Sequence, residues 1–222
     1  MLRRAAIALL LGTLVTCTPP EPSTGVTPVP EPGAVQSPDI RIGLLVGVPR
    51  VDVSSDSGLF IADAGGQPLG DVPSAVTWTI RPEGGQLGGG AAGAPRITGQ
   101  STFQLRSVHP AGLLTVNGRL YHGSLTVTRD RSGVTAINVV PIEDYLGGVV
   151  AAEMGRRDSS EVEALAAQAI VSRTFAVRNL GKRAAQGFDL YATVADQVYG
   201  GITSEYPIAV DAVRRTAGLV LT

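Results

Sequence analysis

At 222 residues the chain can hold one large domain or two small ones. Its composition is 44% hydrophobic and 17% charged, which is globular rather than disordered, and 28 glycines with only 5% aromatics favour a loop-rich, partly β protein. A formal net charge of -1 with no long basic run argues against nucleic acid as a partner.

The first residues read as an export signal. Arg3 and Arg4 form a short positive start. Ala5 to Val15 is apolar but shorter than the roughly 20 residues a membrane span needs. Leu14-Val15-Thr16-Cys17 resembles the bacterial lipobox, where a peptidase cuts before a cysteine that carries lipid. Thr16 departs from the usual Gly, Ala or Ser. Cys17 is the one cysteine of the chain, and a lone thiol cannot form an internal disulfide. The expectation is a signal peptide over 1–17, lipidation at Cys17, and an exported protein anchored at the cell envelope. The alternative is an ordinary secretory signal, giving a secreted or periplasmic protein.

Residues 18–39 are rich in Pro, Ser, Thr and Glu and lack apolar periodicity, so a disordered tether is expected. From Ile40 short apolar or alternating runs predict strands at 40–48, 76–80, 101–108, 112–116, 124–128 and 134–140. Asn117-Gly118 between Val116 and Leu120 predicts a two-residue hairpin turn, and residues 130–133 a second reversal. The Gly- and Ala-rich stretch 83–95 reads as a flexible loop. These features place a small β domain at 40–140, with nothing in it that looks catalytic.

After Pro141 the periodicity becomes helical. Pro141 suits a first turn, and Glu143 and Asp144 favour its positive end. Ile142, Leu146, Val149 and Val150 share a face that Glu153 joins if the helix persists. Gly147 and Gly148 weaken the helix or admit a close backbone. Ser160-Glu161-Val162-Glu163 reads as a capping box for a second helix running to about Leu180 and ending at Gly181. Ser172 and Arg173 interrupt its apolar stripe. Residues 193–201 read as a loop or short strand, 207–217 as a last helix, and 219–222 as the start of a strand. The overall expectation is an α+β fold: a small β domain, then a mainly helical core with short strands over 141–222.

A buried arginine must be paired. One reading puts Glu153 and Arg173 in the same cleft. The other lets Arg173 snorkel to solvent and leaves Glu153 as a surface helix end. Spacing alone does not choose between them.

The segment from about Ile137 onward resembles the stage II sporulation protein D family, which includes the amidase enhancer of bacterial cell-wall hydrolases. The likeness lies in "PIEDYLGGVVAAEM" (141–154), "EALAAQAIVSRTFAVRN" (163–179), "DQVYGG" (196–201) and "AVDAVRRTAGLVLT" (209–222). Four blocks in the right order make it specific. The resemblance implies action on peptidoglycan as a lytic transglycosylase on strands without stem peptides. Such an enzyme cuts between N-acetylmuramic acid and N-acetylglucosamine and leaves a 1,6-anhydro end. It implies Glu153 as catalytic acid, with Arg173, Gln168, Gln197 and Tyr199 lining or supporting the cleft. Some members bind zinc through Cys and His near the "QVY" segment. "LYATVADQVYGG" has neither, so no zinc site and no cofactor are expected, and His109 and His122 lie far upstream. The family core usually continues past "GLVLT". A chain stopping at Thr222 is therefore expected to be truncated, one piece of a split protein, or a reduced version.

Glycoside hydrolysis ordinarily takes two carboxylates. Glu143, Asp144, Asp158, Glu161 and Glu163 read better as helix-start acids. A lytic transglycosylase needs only one, because the 6-hydroxyl of muramic acid is the nucleophile. Burial beside Val149, Val150 and Met154 would favour the protonated acid, and a close Arg173 would favour the carboxylate. The competing functions are a membrane-anchored transglycosylase and a non-catalytic wall-binding or amidase-modulating lipoprotein. A periplasmic structural module is a third, weaker reading.

Overall fold

The computed structural model describes residues 37–222. The signal segment, Cys17 and nearly all of the 18–39 tether lie outside the described residues. The described residues form one compact unit.

Among the described residues twelve strands come first: β1 (Asp39–Val48), β2 (Val51–Ser55), β3 (Leu59–Ala62), β4 (Pro68–Val72), β5 (Trp78–Glu83), β6 (Gln86–Gly90), β7 (Ile97–Gln100), β8 (Thr102–Ser107), β9 (Leu114–Val116), β10 (Arg119–Tyr121), β11 (Ser124–Arg129) and β12 (Val134–Pro141). Then follow α1 (Ile142–Met154), α2 (Val162–Arg178), β13 (Leu190–Tyr191) and α3 (Pro207–Arg215). A 3-10 turn at Gly201–Ser204 leads into α3. One sheet has the order β13-β1-β12-β11-β8-β3-β4 and the other β10-β9-β2-β5-β6-β7. Pairing is antiparallel except where β13 joins β1 in parallel.

Alternation decides the faces. In β2 and β8 every second residue is buried, as a sheet with one face on a core requires. The two sheets share that core: Trp78 of β5 meets Phe103 of β8 edge to face, ring centroids 5.0 Å apart. β12 is buried along most of its length, on both faces. It continues directly into α1, whose residues Ile142, Tyr145, Leu146, Val149 and Val150 lie in the same cluster as Ile40, Ile42 and Val140 of the sheet.

The mainly helical core is overturned. Among the described residues the structure is mostly β, with 37% strand in two sheets against 26% helical. The reason is the size of the helical side chains. α2 and α3 bury Ala166, Ala169, Ala176, Ala209 and Ala212, which remove little apolar area from water. Helices with such faces are completed by the larger residues of α1 and the sheet.

Three local readings also change. Residues 83–95 are not one loop, because β6 forms a hairpin with β5 through Gly84-Gly85. Its glycines are required: a Cβ on Gly89 would lie 2.2 Å from the Trp78 ring. The cap before α2 is Asp158, whose side chain accepts from the Ser160 N–H, and Glu161 makes no side-chain cap. Leu219 to Thr222 forms no strand. The Asn117-Gly118 turn is as the sequence predicts. Both residues have positive φ, 44° and 80°, and Val116 pairs with Arg119 across them.

Candidate functional site

α1 carries Glu153 near its C-terminal end, where Gly155 stops the helix at φ 66°. Residues 145, 149 and 153 are about a turn apart and share a side of the helix. Tyr145 and Val149 are fully buried, whereas Glu153 is exposed. The carboxylate is nonetheless held. Gln168 of α2 donates to its Oε2 from Nε2 at 2.7 Å, and the Ser172 hydroxyl donates to the same oxygen at 3.4 Å. Gln168 and Ser172 are one turn apart on α2 and also bond each other, Nε2 to Oγ at 3.2 Å.

Behind Ser172 the hydrogen bonds continue inward. Gln197 donates to the Ser172 carbonyl at 3.4 Å and accepts from the Tyr145 hydroxyl at 3.1 Å. Tyr199 stacks at a tilt on Tyr145, centroids 4.8 Å apart, and donates to Asn138 Oδ1 at 3.2 Å. Ser172, Gln197 and Tyr199 are all buried. Burial pushes the Tyr145 phenol far above its ordinary range, and the negative charge of Glu153 adds to this. Burial does the same at Tyr199, helped by Tyr121. Both phenols therefore stay neutral and act as hydrogen-bond donors.

Arg173 is placed elsewhere. It is only 2% exposed, and a two-pronged pair joins it to Glu143, Nε to Oε1 at 2.9 Å and Nη2 to Oε2 at 2.7 Å. The carbonyls of Val213 and Leu219 accept from its Nη2 and Nη1. Its charge is thus neutralised by Glu143, an acid whose position reads from sequence as helix-dipole placement. Glu153 and Arg173 are not paired with each other, and Arg173 does not snorkel. Of the sequence-expected residues, the fold brings Glu153, Gln168 and Gln197 into one network. Tyr199 packs behind it and Arg173 stands on a separate pair. Ser172 was visible in the sequence as a polar break one turn after Gln168, without a role. The signal that ties it to Glu153 is that four-residue spacing.

Among the described residues no group of three or more His, Cys, Asp or Glu side chains is placed to hold a metal. His109 is exposed and His122 pairs with Glu205 at 3.4 Å. No helix among the described residues is long and apolar enough to cross a membrane.

A family model described as stage II sporulation protein, SpoIID, matches residues 130–222. This segment is similar to that family. It contains α1, α2, α3 and β13, and with them Glu153, Gln168, Ser172, Arg173, Gln197 and Tyr199. An uncharacterized protein of Brachyspira hyodysenteriae is 39% identical over 88 residues, which is 39% of this chain and 23% of that relative. The chain thus matches less than a quarter of the relative's length. No solved structure matches the chain.

Proposed function

We propose that the chain acts on peptidoglycan glycan strands as a lytic transglycosylase, with Glu153 as its single acid and base. The observation that carries this reading is the way Glu153 is held. One carboxylate oxygen is fixed by two neutral donors, Gln168 and Ser172, while the residue remains open to solvent. An acid of this kind can meet a polymer, and among the described residues no cation forms a salt bridge with it.

The steps balance with one side chain. Protonated Glu153 gives its proton to the glycosidic oxygen as the bond from the muramic anomeric carbon to that oxygen breaks. The 6-hydroxyl of the same muramic residue bonds to the anomeric carbon. The carboxylate then takes the hydroxyl proton, leaving an anhydro end and the original acid. Gln168 and Ser172 orient the carboxylate. Gln197, Tyr145 and Tyr199 keep Ser172 in place, and the Arg173–Glu143 pair fixes α2 against the start of α1.

The exposure of Glu153 favours a second reading, a non-catalytic strand-binding or amidase-enhancing lipoprotein. Lipidation at Cys17 and a place at the cell envelope are part of both readings.

The test is to incubate the purified chain, and Glu153→Gln beside it, with peptide-free glycan strands and to assay anhydro-ended products. Products from the unaltered chain alone support the enzyme. Products from both remove Glu153 as the acid, and binding without products assigns the second reading. Cys17→Ser should release the protein from membranes; an unchanged distribution removes the anchor.

A further inference from the structure

The N-terminal half of α1 borders a groove of about 470 Å³, on residues that the Glu153 network does not use. Its polar lining comes from Glu143 and Asp144 on α1, His122 in the turn between β10 and β11, Glu205 just before α3, and Arg214 on α3. Val210, Val213 and Ala217, on and after α3, form an apolar wall. Gly147 lets Glu205 approach, since a Cβ there would lie 3.2 Å from the Glu205 carboxylate.

The charges in this groove do not cancel. Glu143 is committed to Arg173, and Arg214 pairs with Asp211 at 2.6 Å. His122 Nε2 lies 3.4 Å from Glu205 Oε1. That carboxylate holds the imidazole above its ordinary pKa; burial opposes this and the charge of Asp144 supports it. Asp144 makes no salt bridge with any described residue. With His122 protonated the groove keeps one uncompensated negative charge, and with His122 neutral it keeps two. An apolar wall beside an anionic end has the two features that recognise a cation on a hydrocarbon stem.

We propose that this groove binds a primary ammonium group carried on a short aliphatic stem. The ammonium sits between Asp144 and Glu205, and the stem lies along Val210 and Val213. An ammonium and a protonated imidazole compete for the same Glu205 carboxylate, so binding expels the His122 proton. Affinity therefore rises as pH passes upward through the imidazole titration. The chemistry is shared by a free small amine and by a lysine-type side chain in a peptide.

The test is a calorimetric or NMR titration of the full chain with n-pentylammonium and, separately, with Nα-acetyl-lysine amide. Hexanoate serves as the control of equal stem and opposite charge. Each is run near pH 5.5 and near pH 8, about a unit or more on either side of an ordinary imidazole. Saturable binding of the amines is expected, tightening about tenfold at the higher pH, with none for hexanoate. Asp144→Asn, at an exposed position, should weaken binding about tenfold, and Glu205→Gln should do the same. His122→Asn should bind equally at both pH values. A tighter lysine amide assigns the site to peptide side chains, and equal affinity assigns it to the bare alkylammonium. No saturable binding, binding indifferent to Asp144 and Glu205, or binding that weakens as pH rises would overturn the proposal.

Discussion

The two ends of α1 handle acids in opposite ways. They lie about 14 Å apart along the helix axis, taking about 1.5 Å per residue from Asp144 to Glu153. At the first end Glu143 meets a buried guanidinium in a two-pronged ion pair, and Glu205 meets His122 close by. At the far end Glu153 is held only by an amide and a hydroxyl and stays open to solvent. A carboxylate against a fixed cation is spoken for and organises the fold. A carboxylate against neutral donors is oriented yet still free to exchange a proton with something else. The difference lies in the partners that α2 presents, Arg173 to one end and Gln168 with Ser172 to the other.

This contrast can be broken by mutation. The largest effect is expected for Glu143→Ala, which strands the buried Arg173 charge with only carbonyl partners. Denaturant unfolding should show a loss of about 3–5 kcal/mol. The double change Glu143→Leu with Arg173→Met should recover most of it, because both charges then leave together. No recovery would mean that the pair supplies more than mutual neutralisation.

Next in size is Gly148→Ala, between the two ends. A Cβ there lies 2.8 Å from the Tyr199 ring and 3.0 Å from the Gly201 carbonyl. Overpacking should cost about 1–3 kcal/mol, against the roughly 1 kcal/mol that replacing a helix glycine gains. A net rise in melting temperature would show that Tyr199 is not held as tightly as the geometry indicates.

A smaller effect should depend on pH. Glu205 raises the His122 pKa in the folded protein, so this pair stabilises the fold fully below the unfolded imidazole value, about 6.5. The contribution disappears as pH rises through the higher folded value. The stability difference between the unaltered chain and His122→Asn, measured by denaturant titration, should therefore shrink from about pH 6 to about pH 8. A difference that grows with pH would contradict the pairing. Least of all should happen on Glu153→Gln, where an exposed group changes: about ±0.5 kcal/mol in stability, while on the proposed mechanism anhydro-ended products should be lost. A large stability loss there would make Glu153 a structural residue and remove the contrast.

Much of the β layer was legible from residues near one another in the chain. Alternation marked β1, β8, β11 and β12, and Asn117-Gly118 marked a turn needing positive φ at two successive residues. β6 was hidden because its glycines look like a loop; at Gly89 the Trp78 ring occupies the space a side chain would take. The helical periodicity after Pro141 located α1 and α2. It could not show that the small-residue faces of α2 and α3 pack against α1. At the site, Glu153 stood out as an acid on an apolar face, and Gln168 and Gln197 entered through a family resemblance. The partner of Arg173 was hidden, since Glu143 is 30 residues away and has an equally good local explanation at a helix start.

By itself the sequence determined the strand alternation, the hairpin turn, the helical stretches and the SpoIID segment, because each is written in residue spacing over a few turns or strands. Tertiary structure alone decided that Arg173 belongs to Glu143, that Glu153 belongs to Gln168 and Ser172, and that His122 meets Glu205 beside Asp144. Those choices pair groups far apart in the chain. Each depends on which donor or charge the packed sheets and helices bring within about 3 Å, a length set by hydrogen-bond geometry rather than by order along the backbone.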